Sequence, residues 1–184
     1  FLENFFDGKW VVENVVPYYR PLVSPRRQIG RHLFWSNFDF QIEDIKREIW
    51  TGLQYEMSSI EKIKLINHVF YHQYGFSGNT KNHHDPQNSY LNQVLENKKG
   101  NQISLAIIYA TLAQKLDIPV YGVNLPQHFI LGYIDEHNAD MEYSVLFYIN
   151  AFNKGAIFGK HDVDQFLRQL NLEPQPGFYS PCSN

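Results

Sequence analysis

The chain has 184 residues, 43% of them hydrophobic and 16% aromatic, with a formal charge of −3; that is long enough to bury the core of one domain without disulfides or metal. Its single cysteine, Cys182, excludes an internal disulfide framework and a cysteine-based zinc site, and fits a reducing, cytoplasmic setting. The slightly acidic balance argues against nucleic acid as a partner, and neither an apolar run long enough to span a bilayer nor a leader pattern argues for a membrane.

Residues 1–40 contain the pairs Val11-Val12 and Val15-Val16 but are broken by Pro17, Pro21 and Pro25, which predicts a short helix or strand and then an extended arm. Arg20, Arg26, Arg27 and Arg31 in that arm read as a solvated loop rather than a phosphate patch. Between 41 and 56, Ile42, Ile45, Ile49 and Leu53 recur at spacings of three and four, the stripe of an amphipathic helix. Ser58-Ser59-Ile60-Glu61 is a capping-box pattern. It opens a helix that buries Ile60, Ile63, Ile66, Val69 and Phe70 and stops at Gly75.

Residues 75–87, rich in Gly, Asn, Ser and His, read as a loop, and a short helix follows from about Asn88, which would cap it. Asn97-Lys98-Lys99-Gly100 closes that helix, and the segment from Gln102 to Leu116 is apolar on nearly every side, the mark of a central helix. After Asp117-Ile118-Pro119 the period changes to β-rich runs at 120–123, 129–134 and 143–149. A last helix is expected near Asp162, with Phe166, Leu167 and Leu170 inward. From Glu173 a tail with Pro174, Pro176 and Pro181 reads as an extended exit. Helices first and antiparallel strands afterwards make an α+β domain. The expected division is a helical and extended N-terminal arm over 1–57 that packs on the core, a core over 58–172 and an extended tail over 173–184, the whole reading as an excerpt of a longer protein because it opens on Phe1 without methionine.

A hairpin centred near Ala139 would set His128 directly opposite Asn150, close enough for a carboxamide to orient an imidazole. The start of the central helix, with its free N–H groups, would supply the third side of a site.

Several segments then resemble the core of the transglutaminase-like superfamily, in its divergent bacterial branch. They are Asp85-Pro86-Gln87-Asn88-Ser89-Tyr90-Leu91, Gly100-Asn101-Gln102-Ile103-Ser104-Leu105, Leu116-Asp117-Ile118-Pro119, Gly122 through Phe129, and Ile149 through Gly155. The resemblance spans residues 58–160 and implies a papain-like cysteine-protease-type core, helices packed on an antiparallel sheet. It also implies a cysteine, histidine and aspartate triad, whose positions are occupied here by Gln102, His128 and Asn150. Glutamine is no nucleophile, so the implied reading is a domain that has lost the thiol mechanism and keeps a binding or scaffolding role toward an unspecified protein or peptide, with no cofactor.

Two other readings stay open. In one, His128 is a general base oriented by Asn150, with Ser104 or a water as nucleophile. Ser104 lies two residues from Gln102, about 200° round a helix, in line with Thr111 and Lys115 on what reads as the polar line. In the other, His83, His84 or Asp85 holds a metal, although adjacent histidines diverge and no second spaced ligand pair is visible. His68 and His72 share a helix face without the glutamate of a metalloprotease motif and read as packing residues. Tyr90, Tyr109, Tyr121, Tyr133 and Phe152 are candidate walls around His128.

Overall fold

The computed structural model describes residues 31–135 and 145–182, with side chains described from Phe38 onward. Helix α1 (Arg31–Gly52) starts inside the segment expected to be an extended arm. Its Phe38, Ile42, Ile45 and Ile49 are buried at helical spacing in the main core. Burial of each such side chain contributes roughly 1.5–3 kcal/mol, so this stripe, and not local propensity, holds the helix. The proline-broken part of the expected arm lies outside the described residues. Helix α2 (Ser59–Asn67) begins as expected: Ser58 takes the Glu61 N–H while the Glu61 carboxylate takes the Ser58 N–H. It then widens into a π-helical turn, His68–Gln73, that periodicity did not reveal.

The loop that follows contains two short strands unseen in the sequence. Strands β1 (Ser77–Gly78) and β2 (Lys99–Gly100) pair in parallel and bring Gly78 beside Gly100. Between them lie a 3₁₀ turn, Pro86–Ser89, capped by Asp85, and helix α3 (Leu91–Asn97). Asn88 does not cap α3; it is buried inside the loop, its amide donating to the Asn82 and His83 carbonyls. Lys98 ends α3 in the left-handed conformation at φ +58°, and its amine sits 4.7 Å from the centre of the Phe76 ring.

Helix α4 (Gln102–Gln114) is buried on almost every side, which its composition anticipated. One face rests on the four-stranded antiparallel sheet β3 (Val120–Leu125), β4 (His128–Ile134), β5 (Val145–Asn150), β6 (Ala156–Phe158), in that spatial order. The β3–β4 hairpin closes through Pro126-Gln127, with φ +62° at Gln127, the pattern of a type II turn. Val120, Leu131, Tyr133, Phe147 and Ile149 face α4. Alternate residues Val123, Leu125, Ile130 and Tyr148 build a second core on the opposite face with Val163 and Leu167 of helix α5 (Lys160–Gln169).

The tail is not free. A 3₁₀ turn at Pro176–Phe178 sets Phe178 and Tyr179 against the second core. Tyr179 donates a short hydrogen bond to Asp164, Lys160 lies 3.9 Å from the centre of its ring, and the Cys182 N–H reaches the Gly122 carbonyl at 2.8 Å. Among the described residues no helix is long and apolar enough to cross a membrane.

Candidate functional site

Gln102 opens α4 immediately after Asn101, the N-cap. Asn101 Oδ1 accepts from the Ser104 N–H at 2.8 Å, and the Asn101 N–H donates to Ser104 Oγ at 3.0 Å. Ser104 Oγ in turn donates to the Asn88 carbonyl at 2.7 Å. The hydroxyl is fully buried and its bonds go to the helix cap and the loop, none to His128. Thr111, on the same line, is buried as well and donates to the Ile107 carbonyl. The line read as polar is therefore an internal one, satisfied by backbone carbonyls.

Gln102 extends toward the sheet, where its Oε1 faces the Phe129 N–H at 3.4 Å. The reason is topological. The Gly122 carbonyl points outward to Cys182, so Gly122–Leu131 and Asn124–Phe129 are pairs that exchange no bond across β3–β4. The Phe129 N–H thus points to the β5 side. Strand β5 ends at Asn150, and the register Leu131↔Ile149 leaves no strand residue across from Phe129. The Gln102 carboxamide stands where a strand rung is missing.

That register corrects the expected one. His128 and Asn150 are not opposite; the pairing is offset by two residues, with an irregularity between Tyr133 and Ile134. The expected turn centre, Ala139, lies outside the described residues. Parity survives a shift of two, so both side chains belong to the face turned toward α5. The His128 ring packs edge-on against Phe166 of α5, centroids 4.6 Å apart, and its Nδ1 is buried without a hydrogen-bond partner. Asn150 Oδ1 accepts from the Phe152 and Asn153 N–H groups, both at 3.1 Å, and so turns the chain out of β5. Gln102 reaches the sheet from the α4 side, while the His128 ring lies on the other. The three residues are neighbours in topology and do not converge on one point.

Of the expected walls, Tyr133 stacks on Phe147, and Tyr109 donates to Asn67 Oδ1 at 2.8 Å inside the core. Phe152 covers Gly78, where an added Cβ would lie 2.7 Å from its ring, and meets the edge of His83. Its turn is anchored from below. Asn67 donates to the Gly155 carbonyl and Tyr71 to the Ala151 carbonyl, both at 2.8 Å. Gly155, at φ +68°, leaves no room for a Cβ, which would fall 1.9 Å from Asn67 Oδ1. Burial pushes the Tyr71 and Tyr109 phenols well above their ordinary range, so both stay neutral donors.

Asn67 and Tyr71 went unnoticed in the sequence, and Phe166 was read only as an inward helix residue, because their partners lie 88, 80 and 38 positions away. A local pattern carries no signal at that range. Asp85 caps Gln87 through Oδ1 at 2.9 Å, the rings of His83 and His84 are 5.5 Å apart, and those of His68 and His72 are 5.8 Å apart. Among the described residues no group of three His, Cys, Asp or Glu side chains is placed to share a metal ion. The Cys182 thiol sits by the outer edge of β3, where burial pushes its pKa up. A strand separates it from the one that carries His128.

A helix buried all round, resting on an antiparallel sheet with its first turn at the end of the histidine strand, is the arrangement that the quoted segments implied. The family model of the transglutaminase-like superfamily matches residues 37–184. The chain belongs to that superfamily. The domain is 42% identical over 118 residues to a UPF0162 protein of Xylella fastidiosa, an alignment covering 60% of this chain and 41% of that one. It is 27% identical over 162 residues to the UPF0162 protein of Vibrio cholerae, covering 88% and 55%. With F-box only protein 21 of Mus musculus it shares 36% identity over 108 residues, 54% of this chain and 17% of that protein. The transglutaminase-like domain therefore spans about two fifths of the Xylella relative and a smaller part of the mammalian one. No solved structure matches the chain significantly.

Proposed function

We propose that this transglutaminase-like domain performs no covalent catalysis and instead holds an extended segment of a partner protein at the N-terminal end of α4. The observation that carries the reading is the split between Gln102 and His128. The side chain at the nucleophile position is an uncharged amide, and the imidazole that would activate a nucleophile turns to the α5 side onto Phe166. Ser104 is already committed to the cap and to Asn88.

What remains at that end suits main-chain recognition. Phe129 offers an N–H beyond the end of β5, held only by a long bond to Gln102, whereas the Asn101 and Asn79 carboxamides are engaged with Ser104 and Ser89 and with Asn82 and Asn88. The Phe152 ring supplies an apolar wall. A main-chain N–H of this kind can donate to an extended backbone, as in strand addition.

The test is enzymatic and chemical. The purified protein is expected to hydrolyse or transfer ester and amide substrates no faster than His128→Ala. In a Cys182→Ser background, which removes the native exposed thiol, a thiol placed by Gln102→Cys is expected to react with iodoacetamide at the same pH-dependent rate with or without His128→Ala, within about twofold, because the helix start alone acts on it. Turnover by the unaltered protein that His128→Ala abolishes would overturn the reading.

A further inference from the structure

Helix α5 ends in a tight turn: Asn171 is left-handed at φ +57°, and the Leu172 N–H returns to the Leu167 carbonyl at 3.0 Å. Beyond it residues 173–177 are exposed, and among the described residues none of their groups bonds to the body of the domain. Contact resumes at Phe178 and Tyr179, which lie over the second core. Four tethers on three elements hold this stretch. The Tyr179 hydroxyl donates to Asp164 of α5, and the Lys160 amine lies over the Tyr179 ring. Tyr148 of β5 donates to the Tyr179 carbonyl at 3.2 Å, and the Cys182 N–H donates to Gly122 of β3 at 2.8 Å. Pro176 and Pro181 have no N–H to give, so no ladder of bonds forms along β3. A segment reached through a bond-free stretch and held by a few rim contacts opens as a unit, at lower free energy than the strands beneath it.

The core beneath includes Phe166, the residue on which the His128 ring packs. His128 Nδ1 is buried with no hydrogen bond to fix the ring, which leaves that packing to orient it. We propose that residues 176–182 are a latch over the groove between α5 and the β3 edge, and that its closure keeps Phe166 pressed on the His128 imidazole. Opening withdraws Phe178 and Tyr179, uncovers the outer edge of β3 and frees Phe166 to leave the ring. The Asp164 carboxylate is also held by Lys160 at 3.4 Å, so it stays on α5 when the phenol departs and the tail is the moving part. The latch belongs to the α5 face and stands whether or not a partner binds at the start of α4.

The test is amide hydrogen exchange and NMR on the full chain. In the unaltered protein the Cys182 N–H is expected to exchange more slowly than in a free peptide, yet well ahead of the Ile130 and Leu131 amides of β4. Tyr179→Phe keeps the ring and removes the hydroxyl. It should speed exchange at Cys182 about fivefold, the effect of one partly solvated bond to a charged group, and leave β4 unchanged. In the same variant the His128 ring protons should move toward their free-peptide positions as the ring current of Phe166 is lost. Asp164→Asn, which still accepts a hydrogen bond, should act in the same direction and less. Exchange at Cys182 as slow as in β4 and unmoved by Tyr179→Phe would make the segment part of the fixed fold. Exchange at the free-peptide rate in the unaltered protein would mean that the segment does not close. Faster exchange at Cys182 with the His128 protons unmoved would separate the latch from the imidazole and overturn the proposal as well.

Discussion

Ser104 illustrates how a residue of catalytic type is put to structural use. Its hydroxyl completes the α4 cap and carries a bond to the buried Asn88 carbonyl, which ties the loop before α3 to the helix start. Ser104→Ala removes both bonds, although the Asn101 N–H and the Asn88 carbonyl still meet each other at 3.2 Å, and is expected to lower unfolding free energy by about 1 kcal/mol, measured by urea denaturation. If Ser104 were instead a nucleophile on a satisfied scaffold, its loss would leave stability unchanged. Gln102 differs in kind: it is half-buried, its one bond is long, and its position beside a missing strand rung explains the amide without a reaction.

Among the elements, the π-helical turn has the widest reach. By widening after Asn67 it presents Asn67 and Tyr71 to the β5–β6 connection, and that connection carries Phe152. Asn67 bonds both Tyr109 of α4 and the Gly155 carbonyl, so one carboxamide joins three elements. Asn67→Ala is expected to cost about 2–4 kcal/mol, because it strands two buried polar groups. Amide hydrogen exchange should show the turn at 151–155 opening first, ahead of β3 and β4. Uniform loosening of the whole sheet would mean that Asn67 supports the core generally and does not position the turn. The strands show the complementary point. The existence of β3, β4 and β5 was legible from β-rich runs, whereas their register depended on an irregularity at Tyr133–Ile134 that no residue type announces.

For the molecule as a whole, α1 is tied to α4 by charge as well as by its apolar stripe. Lys115 donates to Glu43 at 2.9 Å and lies 3.8 Å from Asp39, with its own side chain only 15% exposed. The Lys115 hydrogen bond holds the Glu43 carboxyl below its ordinary value, against a smaller opposing effect of burial. A carboxylate whose folded pKa is depressed contributes stability that is fully present above its unfolded value, near 4.5, and is lost as pH falls through the lower folded value. Glu43→Gln should therefore lower the melting temperature at neutral pH, and the gap should close as the pH falls below about 4. Because Glu43 is 42% exposed, solvent screening keeps the effect small. A gap that stayed constant with pH would assign the loss to packing.

Composition and periodicity by themselves determined the α+β class, the central helix, the α2 cap and the strand runs, since each of these depends on neighbours within a few residues. The ordered family segments likewise determined the superfamily. Only the tertiary structure decided that the first helix reaches back to residue 31, that the tail packs on α5 and β3, and that Gln102 and His128 meet the sheet from opposite sides. The physical reason is that a side chain's face is set by strand register and by which helix covers it. Both are fixed by contacts across dozens of residues, such as Gly155 with Asn67 and Cys182 with Gly122.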